Sequence, residues 1–277
     1  MRPALVTTER PDNTGSFDPE RYWSNRLAQT FSLGGVGWLG LGEPFNKWMY
    51  AVRRRVFKRA LRGRLDPKGA RILDVGSGTG FYVARWHELG ATDVTGSDLT
   101  AVAVDRLRAR FPGARFEQID ISGEHVALDG PFDAISAMDM LYHIVDDAGY
   151  ARAIANLAAL LAPGGVLVFT ENLVHSQTQR AEHQTSRSFS EVCELLREHG
   201  LKIELRRPVF VLMNTPVDSD SAFLGRSWTT VNSLVRRSPR WGDAVGAILY
   251  PVDVILSRFV REGPSTEIVV CRKADAP

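Results

Sequence analysis

A chain of 277 residues is long enough to bury a sizeable core, and 44% hydrophobic with 24% charged residues excludes a disordered or fibrous protein. The formal net charge of +2 is too small by itself to argue for nucleic acid or an anionic membrane as partner. The two cysteines, Cys193 and Cys271, lack metal-ligand spacing and read as idle thiols of a reducing compartment.

The first residues, Met1 to Gly15, are polar and carry no apolar run of the signal-peptide kind. No stretch is long and apolar enough to span a bilayer, so a cytoplasmic protein is expected. Residues 1–16 read as a mobile N-terminus. Tyr22, Trp23, Leu27 and Phe31 are helically spaced and predict a helix over 18–31. A glycine-rich stretch, Gly34 to Gly42, leads to a second predicted helix over Phe45–Leu61. Arg53–Arg54–Arg55 there, and Arg236–Arg237 later, read as solvated helix faces.

From Arg71 the pattern alternates. Strands are predicted over Arg71–Val75, Asp93–Ser97, Arg115–Ile119, Phe132–Ala137 and Val166–Thr170. Helices are predicted over Phe81–Leu89, Thr100–Phe111 and Asp147–Leu161, with a turn at Pro163–Gly164–Gly165. Ser188–His199 reads as a helix with Ser188 or Ser190 as N-cap. Lys202–Met213 reads as extended and Thr266–Arg272 as the last strand. Between them, helices around Ala222–Arg236 and Trp241–Phe259 form an insertion, kinked at Pro251. This order predicts an α/β fold: a Rossmann-like, seven-stranded, mostly parallel sheet with helices on both faces and a ligand site beyond the strands' carboxyl ends. The expected division is an N-terminal helical cap over 17–65 and a ligand-binding domain over 66–277 that includes the insertion 219–261.

The densest motif is Asp74-Val75-Gly76-Ser77-Gly78-Thr79-Gly80, where a strand runs into three alternate glycines. Glycines permit the tight turn and a close approach of backbone to ligand. In the dinucleotide fingerprint the third glycine stands one place later, where this chain has Phe81, which counts against a nicotinamide dehydrogenase. Asp98 ends the second strand, where a carboxylate can accept from both hydroxyls of a ribose. Asp120 closes the third strand, within reach of an adenine amino group.

On these residues, and on Leu161-Ala162-Pro163-Gly164-Gly165-Val166-Leu167 before the fifth strand, the run from Arg71 to about Arg272 resembles the class I methyltransferases that use S-adenosylmethionine (SAM). The resemblance implies SAM as cofactor and S-adenosylhomocysteine as product. It implies a cofactor site of Asp74, Gly76, Ser77, Gly78, Gly80, Asp98, Leu99, Asp120, Ile121 and Met138, with Tyr22 from an N-terminal helix folded over it. Asp74 has a second reading, as a residue that orients the loop, and Asp120 one as a turn acid.

Methyl transfer from a sulfonium mainly needs the nucleophile held in line, and a hydroxyl nucleophile gains from a base. After the fourth strand the chain reads Asp139-Met140-Leu141-Tyr142-His143. His143 is the expected base, the position being either catalytic or structural in the family. Glu171 is the second expected catalytic residue, and Tyr142, His143, Arg180, His183 and Arg187 are the expected acceptor contacts. Asp139, Glu171 and Asn172 faintly resemble the magnesium ligands of catechol-type O-methyltransferases, but the match is loose and no metal is expected. No Asn-Pro-Pro-Tyr stands after the fourth strand, which disfavours base-N methylation of nucleic acid.

The expected activity is O-methylation of a hydroxyl on a small-molecule acceptor in secondary metabolism. A C-methyltransferase of quinone or lipid type and a non-catalytic SAM-binding protein are the alternatives. The insertion is expected to roof a pocket for a bulky, partly apolar acceptor, to touch a membrane surface, to form a homodimer interface, or simply to pack on the sheet.

Overall fold

A computed structural model describes residues 17–275. The stretch 1–16, expected to be mobile, lies outside the described residues. The chain opens with helices α1 (Pro19–Gln29), α2 (Leu33–Val36) and α3 (Gly42–Leu61). Then come β1 (Arg71–Val75), α4 (Phe81–Glu88), β2 (Asp93–Asp98), α5 (Ala101–Arg110), β3 (Arg115–Gln118), β4 (Phe132–Ala137), α6 (Asp147–Leu160) and β5 (Leu161–Glu171). A two-stranded hairpin, β6 (Gln179–Arg180) and β7 (Thr185–Ser186), precedes α7 (Phe189–Glu198) and β8 (Leu201–Pro208). The insertion helices α8 (Ala222–Val235) and α9 (Pro239–Phe259) lead to β9 (Glu267–Lys273).

The seven-stranded sheet has the order β3-β2-β1-β4-β5-β9-β8. Strands β1 to β5 pair parallel, and β9 runs antiparallel to both neighbours. The order reverses between β1 and β4, so the loop after β1 opens into the crevice at a switch point. The Rossmann-like expectation therefore holds.

Alternate strand residues feed two cores. Ile72, Val166, Val168, Ile268 and Val270 face one cluster with Phe45, Val56 and Trp86. Leu73, Leu167, Phe169, Val269 and Cys271 face the other, with Tyr150, Leu157 and Leu196. Burial on both faces explains why these strands read as nearly unbroken apolar runs.

Local chemistry sets the ends. Asp146 caps α6 by accepting from Gly149 N at 2.6 Å, and Ser188, not Ser190, caps α7 in a capping box with Glu191. The glycine-rich stretch contains the short α2, which Ser32 caps. Strand β8 ends at Pro208, earlier than the expected Met213, because the next amides turn elsewhere. Val211, Leu212 and Met213 all donate to the Asp253 carboxylate of α9, at 3.1, 2.8 and 3.0 Å. Helix α9 runs unbroken through Pro251 and packs across α3, with Gly246 under Trp48. Among the described residues no helix is long and apolar enough to cross a membrane.

Candidate active site

The glycine loop follows β1 at the switch point. Gly76, Gly78 and Gly80 have φ of 69°, 53° and 77°. A side chain at Gly76 would meet Met140 at 2.9 Å, and one at Gly78 would meet Val36 at 3.0 Å. The bare backbone thus forms the floor of a cavity of about 460 Å³, within the range of small-molecule sites. Gly80 lies outside the lining and serves packing, since a Cβ there would strike Phe111 at 2.5 Å.

Asp98 borders the cavity and is 7% exposed. Its Oδ1 accepts from Thr100 N and Oγ1 at 3.0 and 2.9 Å, and its Oδ2 accepts from Gly78 N at 2.8 Å. Burial raises its pKa and these three donors oppose the rise. No cation pairs with it among the described residues. A carboxylate carries about four lone-pair sites, so Oδ2 keeps room for about one further donor such as a ribose hydroxyl. Leu99, Ile121 and Met138 continue the wall. Asp120 also borders the cavity and holds Ser122 N and Oγ on Oδ1, at 2.8 and 2.6 Å, with no donor on Oδ2 among the described residues. A glycine floor, an uncompensated buried acid and a second acid one strand away suit a nucleoside with a ribose diol and an exocyclic amine. The residues present therefore fit SAM.

Asp74 is placed differently from its expected role as a cofactor contact. It lies beneath the loop, 1% exposed and off the cavity lining. Its Oδ1 accepts from Ser136 Oγ at 2.5 Å, and Ser136 in turn accepts from Trp86 Nε1 at 2.8 Å. Burial pushes the Asp74 carboxyl up to about 7. It braces the loop from below, the second of its two readings.

Helices α1 and α2 cover the cavity. Trp23, rather than the expected Tyr22, lines it. The Trp23 ring meets His143 edge-on at 4.9 Å, while Tyr22 stacks on His183 at 5.8 Å. Arg26 pins this lid by donating from Nε to Gly35 O at 2.6 Å and from Nη2 to Gly37 O at 2.5 Å. Among the described residues none from 219–261 lines the cavity, so the expected roof of insertion helices is absent and α1–α2 take that place.

His143 lines the cavity. Its Nδ1 lies 2.8 Å from the His183 carbonyl, which can only accept, so Nδ1 carries the proton and Nε2 the lone pair. Burial lowers its pKa to about 4.

Opposite stands an ion pair that sequence reasoning missed. Arg53 Nε donates to Asp139 Oδ2 at 2.7 Å, with the two side chains 8% and 9% exposed. Tyr82 Oη donates to Asp139 Oδ2 at 3.3 Å, and Asp139 N donates to Thr170 Oγ1 at 2.6 Å. Asp139 adopts φ 56°, rare for a residue with a side chain. Asp139, Tyr82 and Tyr50 line the cavity, and the Arg53 guanidinium lies 4.8 and 4.7 Å from the Tyr50 and Phe210 ring centres. Arg53 was expected on a solvated face with Arg54 and Arg55, and only those two are exposed. The signal was the spacing Met49, Arg53, Val56, Ala60, which puts Arg53 on the apolar stripe of α3.

Other expected contacts lie elsewhere. Glu171 is fully buried off the lining, where it accepts from Tyr150 Oη at 3.0 Å and from Asn172 N at 3.0 Å, and burial raises it to about 7. Arg180 and Arg187 both pair with Asp147 behind the loop after β4. Tyr142 is buried beside His143 without lining the cavity, and His183 reaches it only through His143. Asp139 and Glu171 are thus engaged separately, and among the described residues no group of three or more His, Cys, Asp or Glu is placed to hold a metal ion.

Known proteins share this fold. The solved magnesium protoporphyrin IX methyltransferase of Synechocystis PCC 6803 superposes with a TM-score of 0.57 at 13% identity, over 95% of this chain and 100% of that one. The 1,6-didemethyltoxoflavin N1-methyltransferase of Burkholderia thailandensis does so with 0.56 at 19% identity, over 99% and 100%. At these identities they share the fold. A ubiquinone biosynthesis O-methyltransferase of Xanthomonas axonopodis pv. citri is 42% identical over 108 residues, which are 38% of this chain and 44% of that protein. The chain therefore spans less than half the length of this curated relative. The profile of the methyltransferase-domain family matches residues 45–207, which takes in most of α3, the glycine loop, Asp98, Asp120 and His143. With that match over more than half its length, the chain belongs to the methyltransferase-domain family, and it carries the fold of the class I methyltransferases.

Proposed function

We propose that this enzyme transfers the SAM methyl group to a hydroxyl oxygen of a small, partly apolar acceptor. The carrying observation is His143, a cavity-lining imidazole whose Nδ1 is committed to the His183 carbonyl. Its neutral Nε2 is the group that takes the hydroxyl proton as the carbon–oxygen bond forms. Depressed proton affinity makes it a weak base, adequate for a hydroxyl that loses its proton as it is methylated and poorly suited to drawing a proton from carbon. Asp139, fixed by Arg53 and Tyr82, offers an oxygen to a second polar group of the acceptor. Tyr50, Phe81, Met140 and Ile144 supply the apolar wall. The O-methyltransferase named among the relatives supports oxygen as the atom methylated. SAM itself, when bound, supplies an activated methyl, so these residues need only position and deprotonate. We assign the cofactor contacts to the loop Gly76–Gly78, to Asp98, Leu99, Asp120, Ile121 and Met138, and to Trp23. Hydroxylated acceptors arise both in secondary metabolism and in quinone assembly, and we expect the protein to act in the cytoplasm.

The test is a panel of hydroxylated aromatic acceptors with isotope-labelled SAM. Product NMR distinguishes a methyl on oxygen from one on carbon, and a carbon-bound label would overturn the reading. The rate should be flat from neutral pH to about 5 and fall as pH drops through about 4, where the imidazole gains its proton. In His143→Ala that acid limb should vanish, together with about 10²-fold of the rate.

A further inference from the structure

Helix α9 buries one side against α3 and leaves the other bare. Trp241, Ile248, Val252, Ile255 and Phe259 are 48, 69, 40, 57 and 74% exposed. At 100° per residue these five positions fall within a sector of about 60°, so they form one ridge along a helix about 30 Å long. Single exposed apolar residues need no explanation, whereas a continuous ridge does.

The charge around the ridge is one-sided. Between two exposed acids, Asp220 and Glu262, the stretch Ser221–Arg261 contains six arginines (226, 236, 237, 240, 258 and 261), two aspartates, and no lysine or glutamate. All six arginines are exposed, and none forms an ion pair among the described residues. Both aspartates are committed. Asp243 bonds Lys47 and Trp48, and Asp253 is buried on the amides of Val211, Leu212 and Met213. Near-neutral total charge hides this local excess.

We propose that the outer face of α9 docks on an anionic lipid surface, with the ridge in the interface and the arginines on the headgroups. A convex apolar ridge enters a fluid interface readily, whereas a protein partner would need a matching groove. A second copy related by two-fold symmetry would set arginine against arginine. Amphipathic helices with a basic polar rim bind anionic membranes by this combination of apolar burial and attraction. The inference is independent of which acceptor is methylated.

The experiment is flotation of the full chain with phosphatidylglycerol-rich vesicles and with phosphatidylcholine vesicles, at low and high salt. SAM titration of the same preparations reports the fold. The wild type should float with the anionic vesicles, bind the neutral ones at least about tenfold more weakly, and detach as salt rises. Ile248→Glu with Ile255→Glu should lower binding at least about tenfold, and Arg240→Glu or Arg258→Glu about fivefold or more each, with SAM binding unchanged in all. Failure of SAM-competent wild type to float, flotation insensitive to both sets of variants, or a dimer in sedimentation that Ile248→Glu with Ile255→Glu dissolves without any vesicle capture would each overturn the proposal.

Discussion

Around the cavity, the ends of β1 and β2 present chiefly main chain, while α1, α3 and the loop after β4 present side chains. The first half is built within a short span of sequence, where Gly78 N donates to an aspartate only twenty residues on. The second half is built across long separations, where Arg53 meets Asp139 across 86 residues. A main-chain site tolerates little variation and looks alike wherever it occurs. A site of side chains is free to change with the acceptor. The difference also bears on stability, because among the described residues the second half holds a buried ion pair and the first holds none.

The comparison breaks first at that pair. Asp139→Ala leaves the Arg53 guanidinium buried without its counter-charge and should cost about 3–5 kcal/mol, read as a fall in denaturant midpoint. Adding Arg53→Met should restore most of it, since the apolar pocket of Tyr50 and Phe210 remains. If the double variant is as unstable as the single one, the pair holds the fold through something other than charge.

Glu171 lies in neither half and serves as the reference. Its folded pKa is raised from 4.5 to about 7, so the stability it contributes is fully present below about 4.5 and lost as pH rises through about 7. Glu171→Gln mimics the protonated form. Its advantage over wild type should be absent near pH 4.5 and grow to on the order of 3 kcal/mol above pH 7, measured by denaturant titration across pH. Asp74, raised in the same direction, should keep part of the wild-type slope in the variant. Methyl transfer should be little altered if Glu171 is structural, and a large loss of rate with full SAM binding would return it to the reaction.

The main-chain half is sharpened by smaller changes. Asp98→Ala should weaken SAM binding about ten- to a hundredfold in calorimetry, the worth of one hydrogen bond to a charged group. Gly76→Ala and Gly63→Ala make the smallest contrast. Both positions have positive φ, 69° and 73°, but an added Cβ meets Met140 at 2.9 Å at the first and nothing within 4 Å at the second. Each should lose about 1–2 kcal/mol of stability, and only Gly76→Ala should also weaken SAM. Equal effects on SAM would mean that the floor does not depend on close approach.

These contrasts also explain what the sequence made legible. The glycine loop, Asp98 and the alternation of strands with helices are local patterns whose physics is contained in a few neighbouring residues. Arg53 was hidden because a triple-arginine run looks solvated until the helix is turned to place one of the three inward. Arg180, Arg187 and Glu171 are polar groups near the right strand ends, yet Asp147 and Tyr150 claim them from the far side of the loop. Tyr22 and Trp23 are adjacent on α1, and only the docking angle of that helix decides which ring enters the cavity. Partner choice over long separations is set by packing, which periodicity does not report.

The three amides on Asp253 have a further consequence. They fasten α9 to the segment that carries Phe210, whose ring lies against Arg53, which in turn holds Asp139 in the cavity wall. The insertion is therefore keyed on its inner side and free on its outer side. Grafting a foreign helix in its place would need a carboxylate at the register of Asp253, whereas the outer residues could be exchanged without disturbing that anchor.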